Sequence, residues 1–189
     1  MTSTDVTVRL ATRADVPGVM ALESRYYVGN LDATEQEDGF ISVLHSADWF
    51  SGAVDTTGLH VAVTDDDAVA GFIAVTPPPP RSDPGLPSIV RAMLDLADTL
   101  DFNGRPIAQQ RFAFRGPVCI DKSARGRGVY SKFNTVTREA YRGRFDCGVL
   151  FVAADNVRSL HTTTTKLEAT SLAVFGVDAR QFHFLAFDF

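Results

Sequence analysis

The chain has 189 residues, with 18 basic and 23 acidic side chains and a formal net charge of −5. Hydrophobic residues at 45% and charged ones at 22% are ordinary globular values, which excludes a mostly disordered chain, a collagen-like repeat and a coiled-coil rod. A chain this long buries roughly 70% of its unfolded surface and can build a core without staples.

The longest uncharged apolar run, Gly148 to Ala154, is far shorter than the roughly 20 residues that a membrane span needs. The start, Met1 to Leu10, does not read as a signal peptide. Two cysteines, Cys119 and Cys147, are too few for a disulfide framework and read as buried free thiols. The expectation is a soluble, cytoplasmic protein with no membrane partner.

Val6 to Leu10 alternates and predicts a short strand. Asp15 to Glu23 predicts a helix with Val16, Val19, Met20 and Leu22 toward a core and Thr12 or Asp15 as cap. Tyr26 to Gly39 is polar and acidic and reads mostly as loop. Asp48 to Val54 predicts a short helix. His60 to Val63 and Val69 to Val75 flank Asp65-Asp66-Asp67 and predict a hairpin. Pro77 to Pro87 is a proline-rich break. Ser88 to Leu100 carries a helical apolar stripe with Ser88 as cap, and an inserted loop-plus-helix segment spans about 77–108.

Phe112 to Ile120 predicts a strand, with a bulge or an edge at Gly116-Pro117. Val129 to Tyr141 predicts the best helix, with Val129, Phe133, Val136 and Ala140 on one face and Gly143 as C-terminal cap. Cys147 to Ala153 is apolar on both faces and predicts a central strand. Asn156 to Lys166 predicts a helix weakened by four consecutive threonines. Leu172 to Val177 and Phe182 to Phe189 close the chain as two strands around Asp178-Ala179-Arg180. This order makes one mixed α/β domain spanning 1–189.

The charge is uneven. Residues 1–110 carry a net −10 and residues 111–189 a net +5, and the positive charge peaks at +7 in Arg111 to Arg144. A concentrated positive field attracts an anion. Within it, Val118-Cys119-Ile120-Asp121-Lys122-Ser123-Ala124-Arg125-Gly126-Arg127-Gly128-Val129-Tyr130 takes a strand through a glycine-containing basic turn into a helix. The first amides of a helix have no intrahelical acceptor, and the helix dipole favours negative charge there. Glycines let a phosphate approach the backbone, and arginines add paired donors. The segment lacks the Gly-x4-Gly-Lys-Ser/Thr spacing of a P-loop. Ser131 stands where the dinucleotide fingerprint needs a third glycine.

The segment resembles the GNAT superfamily of acyl-coenzyme A-dependent N-acetyltransferases. That family carries Gln/Arg-x-x-Gly-x-Gly/Ala between its fourth strand and third helix. Arg125-Gly126-Arg127-Gly128-Val129-Tyr130 matches the arginine and the central glycine, and Tyr130 departs from the final Gly/Ala. Val8 to Asp15 and the hairpin at 60–75 resemble the family's beginning. The resemblance implies a twisted mixed sheet, splayed between the family's strands four and five, with helices on both faces. Those strands are Phe112–Ile120 and Cys147–Ala153.

It further implies direct transfer of an acetyl group from acetyl-CoA to an amine on a small molecule or a peptide, without a metal, nucleic acid or covalent intermediate. A homodimer is compatible with it. Val118, Cys119 and Ile120 would pair with the pantetheine arm. The amides of Arg125, Gly126, Arg127, Gly128, Val129 and Tyr130 would hold the pyrophosphate. Asn156, with Ser159, matches the asparagine that often follows strand five.

Amine acetylation needs a neutral amine, a stabilised oxyanion and a proton for the leaving thiolate. Many family members place a tyrosine seven residues after that asparagine, and Thr163 stands there instead. The catalytic candidates are therefore His161, Ser159 and Tyr130. No base declares itself. Asp121, Glu23, Glu35, Glu37 and Asp38 read as exposed charges, and His45, His60 and His183 show no metal-ligand spacing. The rival is a non-catalytic acyl-CoA-binding or sensing module on the same fold, and a nucleic-acid-binding basic face is the weaker third reading.

Overall fold

Runs rich in Val, Ile, Phe and Ala, interrupted by turn residues, give this chain its strands. In the computed structural model, which describes residues 6–189, they are β1 (Thr7–Leu10), β2 (Leu59–Val63), β3 (Val69–Thr76), β4 (Asp101–Phe102), β5 (Arg105–Pro106), β6 (Phe112–Ile120), β7 (Cys147–Ala153), β8 (Thr170–Val177) and β9 (Arg180–Phe187). The α-helices are α1 (Val16–Arg25), α2 (Ala33–Gln36), α3 (Ala47–Asp55), α4 (Ser88–Ala97), α5 (Val129–Tyr141) and α6 (Val157–Lys166). One seven-stranded mixed sheet has the order β1-β2-β3-β6-β7-β9-β8, and β4 and β5 form a separate hairpin. This is the mixed α/β class that the element order predicts.

The chain divides into two compact units, residues 6–76 with 115–137, and residues 77–114 with 138–189. In the first, β1, β2 and β3 pair antiparallel. Because side chains alternate across a strand, β2 presents Leu59, Val61 and Val63 to one side, where Val16, Val19 and Leu22 of α1 and Phe50 and Ala53 of α3 complete a cluster. Ala62 and Ile73 face the other side, against Val129 and Phe133 of α5. Helices thus cover both faces of this part of the sheet. Phe133 is fully buried, and its replacement by Ala would cost about 3–5 kcal/mol.

Of the two predicted caps, Asp15 holds the N-cap position of α1, and Thr12 that of the 3-10 turn Arg13–Asp15 before it. The Thr12 backbone N–H and hydroxyl both donate to Asp15, which also receives two guanidinium bonds from Arg9 at 2.8 and 2.9 Å. The segment 26–39 is more ordered than its composition predicts. Asp32 caps α2, receiving the Glu35 amide at 2.8 Å, while the Glu35 carboxylate receives the Asp32 amide at 3.0 Å. This capping box was legible in the Asp-x-x-Glu spacing.

In the second unit, Met93, Leu94 and Ala97 of α4 pack with Ile107, Phe112, Cys147, Val149, Phe184 and Ala186. Ser88 does not cap α4. Pro87 holds the cap position, and the Ser88 hydroxyl bonds Asp178 at 2.6 Å instead. The β4–β5 hairpin falls inside the expected insertion and turns on Asn103-Gly104, both at positive φ, a turn signal legible in the sequence. β6 and β7 run parallel from Phe112↔Cys147 to Phe114↔Val149, and from Arg115 onward β6 belongs to the first unit. Gly116, at φ +135°, gives β6 a conformation that side chains rarely adopt.

α5 has the predicted bounds, and Gly143 follows it at φ +80°. Its buried stripe differs from the predicted one. Val129 and Phe133 are buried, but Ala140 is exposed, and Asn134, Thr137 and Tyr141 are buried instead. Thr137 tolerates burial because its hydroxyl donates to the Phe133 carbonyl at 2.7 Å.

Candidate functional site

The last tie between β6 and β3 is the Asp121 amide, donating to the Ala70 carbonyl at 2.9 Å. The Asp121 carboxylate then caps a short 3-10 turn, Lys122–Ala124, by accepting the Ser123 amide at 2.9 Å and its hydroxyl at 2.6 Å. Ala124 is buried among Val129, Phe133 and Ile73 and pins this turn to the core. Gly126 and Gly128 follow at φ +77° and +75°. A Cβ on either would meet nothing within 4 Å, so backbone conformation, not crowding, requires glycine there. α5 begins at Val129, directly beyond. Left-handed residues beside a helix start make a concave run of amides suited to an anion.

The basic side chains around this turn have structural partners, which sequence reasoning did not reveal. Arg125 donates from Nε to the Ile120 carbonyl at 2.9 Å and from Nη1 to the Asp38 carbonyl at 2.9 Å. Its guanidinium lies 5.1 Å from the centre of the Tyr26 ring. Lys122 Nζ pairs with Asp38 at 2.8 Å, which raises its pKa. Burial pushes the Asp121 carboxyl up, but hydrogen bonds from Ser123 and Arg25 outweigh that and hold it below the usual carboxylate range. The Tyr26 hydroxyl receives the Lys122 amide at 2.8 Å, and burial raises its pKa. Arg125 therefore shapes the turn. Arg127, between the two glycines, is exposed.

Of the strand residues, Cys119 is buried, and Val118 and Ile120 are half-buried. The Cys119 carbonyl oxygen lies 3.0 Å from where a Cβ on Gly71 would stand, so it is turned toward β3. Alternation along a strand then turns the polar groups of Val118 and Ile120 away from β3. Burial pushes the Cys119 thiol up to about 12, against the smaller opposing effect of Arg125. A thiol so rarely ionised is a poor nucleophile. Both cysteines are free and buried.

At the start of α5, the Tyr130 ring lies 5.2 Å from the guanidinium carbon of Arg115. Arg115 is buried and donates to Asn134 Oδ1 at 2.7 Å. The Tyr130 hydroxyl oxygen is buried without a hydrogen-bond partner among the described residues. Such a group in a native interior asks for an explanation. The Arg115–Asn134 pair escaped the sequence reading, because Asn134 lies off the apolar stripe predicted for α5.

The remaining candidates stand in the second unit. Asn156 is buried as the N-cap of α6, and its Oδ1 accepts the Ser159 amide at 3.2 Å. Ser159 is half-buried, His161 is exposed and Thr163 is buried. The threonines are accommodated because Thr164 and Thr165 donate their hydroxyls to the Leu160 and His161 carbonyls at 2.9 and 2.7 Å.

Among the carboxylates expected to be exposed, Glu23 is only 2% exposed, and His45 donates to it. Asp32, Glu35 and Asp38 are engaged in the cap and the Lys122 pair. Among the described residues, no cluster of three or more His, Cys, Asp or Glu is placed to hold a metal ion, and no helix is long and apolar enough to cross a membrane.

No protein-family model and no curated protein matches the chain. Solved structures do. A GNAT-family acetyltransferase of Streptococcus agalactiae is 14% identical, with a TM-score of 0.66 over 97% of this chain and 95% of that one. An N-acetyltransferase of Staphylococcus aureus is 15% identical, with a TM-score of 0.61 over 98% and 99%. A chain of the NatC complex bound to a Gag peptide and CoA is 11% identical, with a TM-score of 0.64 over 98% and 99%. The chain thus has the fold of the GNAT acetyltransferases, in agreement with the resemblance carried by Arg125 to Tyr130.

Proposed function

We propose that this protein is a single-domain N-acetyltransferase that moves an acetyl group from acetyl-CoA directly to an amine. The observation that carries the reading is the turn at Gly126 and Gly128, whose two left-handed glycines open onto the start of α5. A pyrophosphate fits this donor set. The amides of Gly126 to Tyr130 would hold it and Arg127 would add charge, while Arg125, bound to Ile120 and Asp38, keeps the turn in shape. The backbone of Val118 and the amide of Ile120, turned away from β3, would take the pantetheine arm, the Ile120 carbonyl being held by Arg125.

When bound, the cosubstrate supplies a thioester carbon open to attack by a neutral amine. The new C–N bond forms, the C–S bond breaks, and the thiolate takes a proton. Tyr130 is the proton donor in this reading, because its buried hydroxyl has no protein partner among the described residues. Ser159 and His161 of α6 are the alternatives. The acceptor is a small-molecule or peptide amine, since solved proteins of this fold include a peptide-bound one. A cytoplasmic location fits a coenzyme A-dependent reaction.

The test is thiol release from acetyl-CoA against a panel of amines, peptides and aminoglycosides. Release with an amine supports the reading. Binding of the coenzyme with no release from any amine favours the second reading, a non-catalytic acyl-CoA-binding module. The observation behind that second reading is Thr163, buried on α6 where the resemblance expects a tyrosine.

A further inference from the structure

We infer that His45 is the general base of the amine acceptor and that Glu23 positions it, an inference that rests on the acyl-transfer reading above. Glu23 sits near the end of α1 and is buried. Its Oε1 lies 2.7 Å from His45 Nδ1, and its Oε2 accepts the His45 backbone amide at 3.0 Å. An ionised carboxylate can only accept hydrogen bonds. With the carboxylate ionised and the ring neutral, Nδ1 carries the hydrogen and the lone pair is on Nε2, the tautomer that this contact selects. One carboxylate thus fixes the position and the tautomer of one imidazole.

The ring is held on its other sides as well. Trp49 lies 4.1 Å away, centre to centre, and Phe50 lies 5.7 Å away. Trp49 is itself fixed at the start of α3, where its amide donates to the capping Ser46 hydroxyl at 3.1 Å. The His45 side chain remains 19% exposed, so its free nitrogen is reachable from solvent.

The pair is joined to the proposed coenzyme turn within the first unit. Tyr26, three residues after Glu23 and just past the end of α1, binds the Lys122 amide and carries Arg125 against its ring. On the strand side, Glu23 acts electrostatically on Cys119 of β6, together with Arg125, Asp121 and Arg25. From α3 the ring is faced by Trp49 and Phe50, which do not titrate.

The chemistry balances without another reactant. His45 Nε2 takes a proton from the acceptor ammonium, directly or through one water. The neutral nitrogen attacks the thioester carbon, a C–N bond forms and the C–S bond breaks, and the second proton that the nitrogen loses replaces the one taken by the thiolate. His45 then returns its proton to solvent, so one proton is released per amide formed.

The test compares wild type with His45→Asn and Glu23→Gln. An asparagine amide can stand where Nδ1 stands and keep the bond to Glu23, but it offers no base. His45→Asn is expected to lower kcat by about 10²-fold or more, with coenzyme affinity and melting temperature close to wild type. Glu23→Gln is expected to shift the ascending limb of the kcat/KM pH profile, which a purely structural carboxylate would leave in place. Added imidazole should restore part of the turnover of His45→Ala. Full turnover in a folded His45→Asn variant overturns the assignment alone. Absence of turnover in wild type with every amine, despite coenzyme binding, overturns both this assignment and the acyl-transfer reading.

Discussion

The Lys122 amide donates to the Tyr26 hydroxyl at 2.8 Å across 96 positions of sequence. This bond ties the end of α1 to the turn that precedes α5, and Arg125 lies against the same tyrosine ring. Tyr26→Phe would leave a part-buried amide without its acceptor, at a cost of about 1 kcal/mol. The expected outcome is a lower melting temperature together with weaker coenzyme binding by calorimetry. A melting point and affinity equal to wild type would show that the turn holds its shape without the bond.

Gly128→Asp is expected to abolish measurable coenzyme binding, because it adds negative charge at a helix start and strains a residue at φ +75°. Gly128→Ala separates the two effects. A Cβ there meets nothing within 4 Å, so alanine brings conformational strain of about 1 kcal/mol without a clash or a charge. Calorimetry on the folded variants should rank wild type, alanine and aspartate in that order. Equal affinities would place the coenzyme elsewhere.

The thiolate donor is decided by comparing Tyr130→Phe with His161→Ala. Removing the buried phenol is expected to lower kcat by about 10²-fold, with coenzyme affinity nearly intact. The exposed His161 is expected to matter less. The larger loss in His161→Ala would assign the proton to the imidazole instead.

Direct transfer makes a prediction about Cys119. Burial holds its thiol at about 12, so alkylation by iodoacetamide at neutral pH should be slow in the folded protein. Cys119→Ala should keep its turnover, and mass spectrometry of wild type with acetyl-CoA should find no acetyl-thioester on the protein. An acylated Cys119 that disappears on adding amine would replace direct transfer with a covalent route.

The Arg9–Asp15 pair sets an acid limit on stability. Hydrogen bonds from Arg9 hold the Asp15 carboxyl down at about 2, below the roughly 3.9 of an unfolded chain. A depressed folded value means that the stabilisation is complete above about pH 4 and is lost as pH falls toward 2. Because Arg9 is partly exposed, screening reduces the contribution to about 1–2 kcal/mol. Urea titrations should show Asp15→Asn less stable than wild type at pH 7, with the difference shrinking toward pH 2. A constant difference would assign the loss to capping alone.

Periodicity and turn chemistry alone predicted most elements of this chain. The hairpin around Asp65-Asp66-Asp67, the α5 bounds and the Gly143 stop are local properties, set by side-chain spacing and by residues that tolerate particular dihedrals. The glycines at 126 and 128 were legible for the same reason. What the side chains bind was not legible, because it depends on partners brought together by folding. Arg125 reads in sequence as a phosphate donor, yet it supports Ile120, Asp38 and Tyr26. Glu23 reads as one surface charge among many, yet it is buried and holds His45, 22 residues away. Ser88 reads as a cap, yet its hydroxyl reaches Asp178. A charged or polar side chain follows its nearest partner, and only the tertiary structure decides which partner is near.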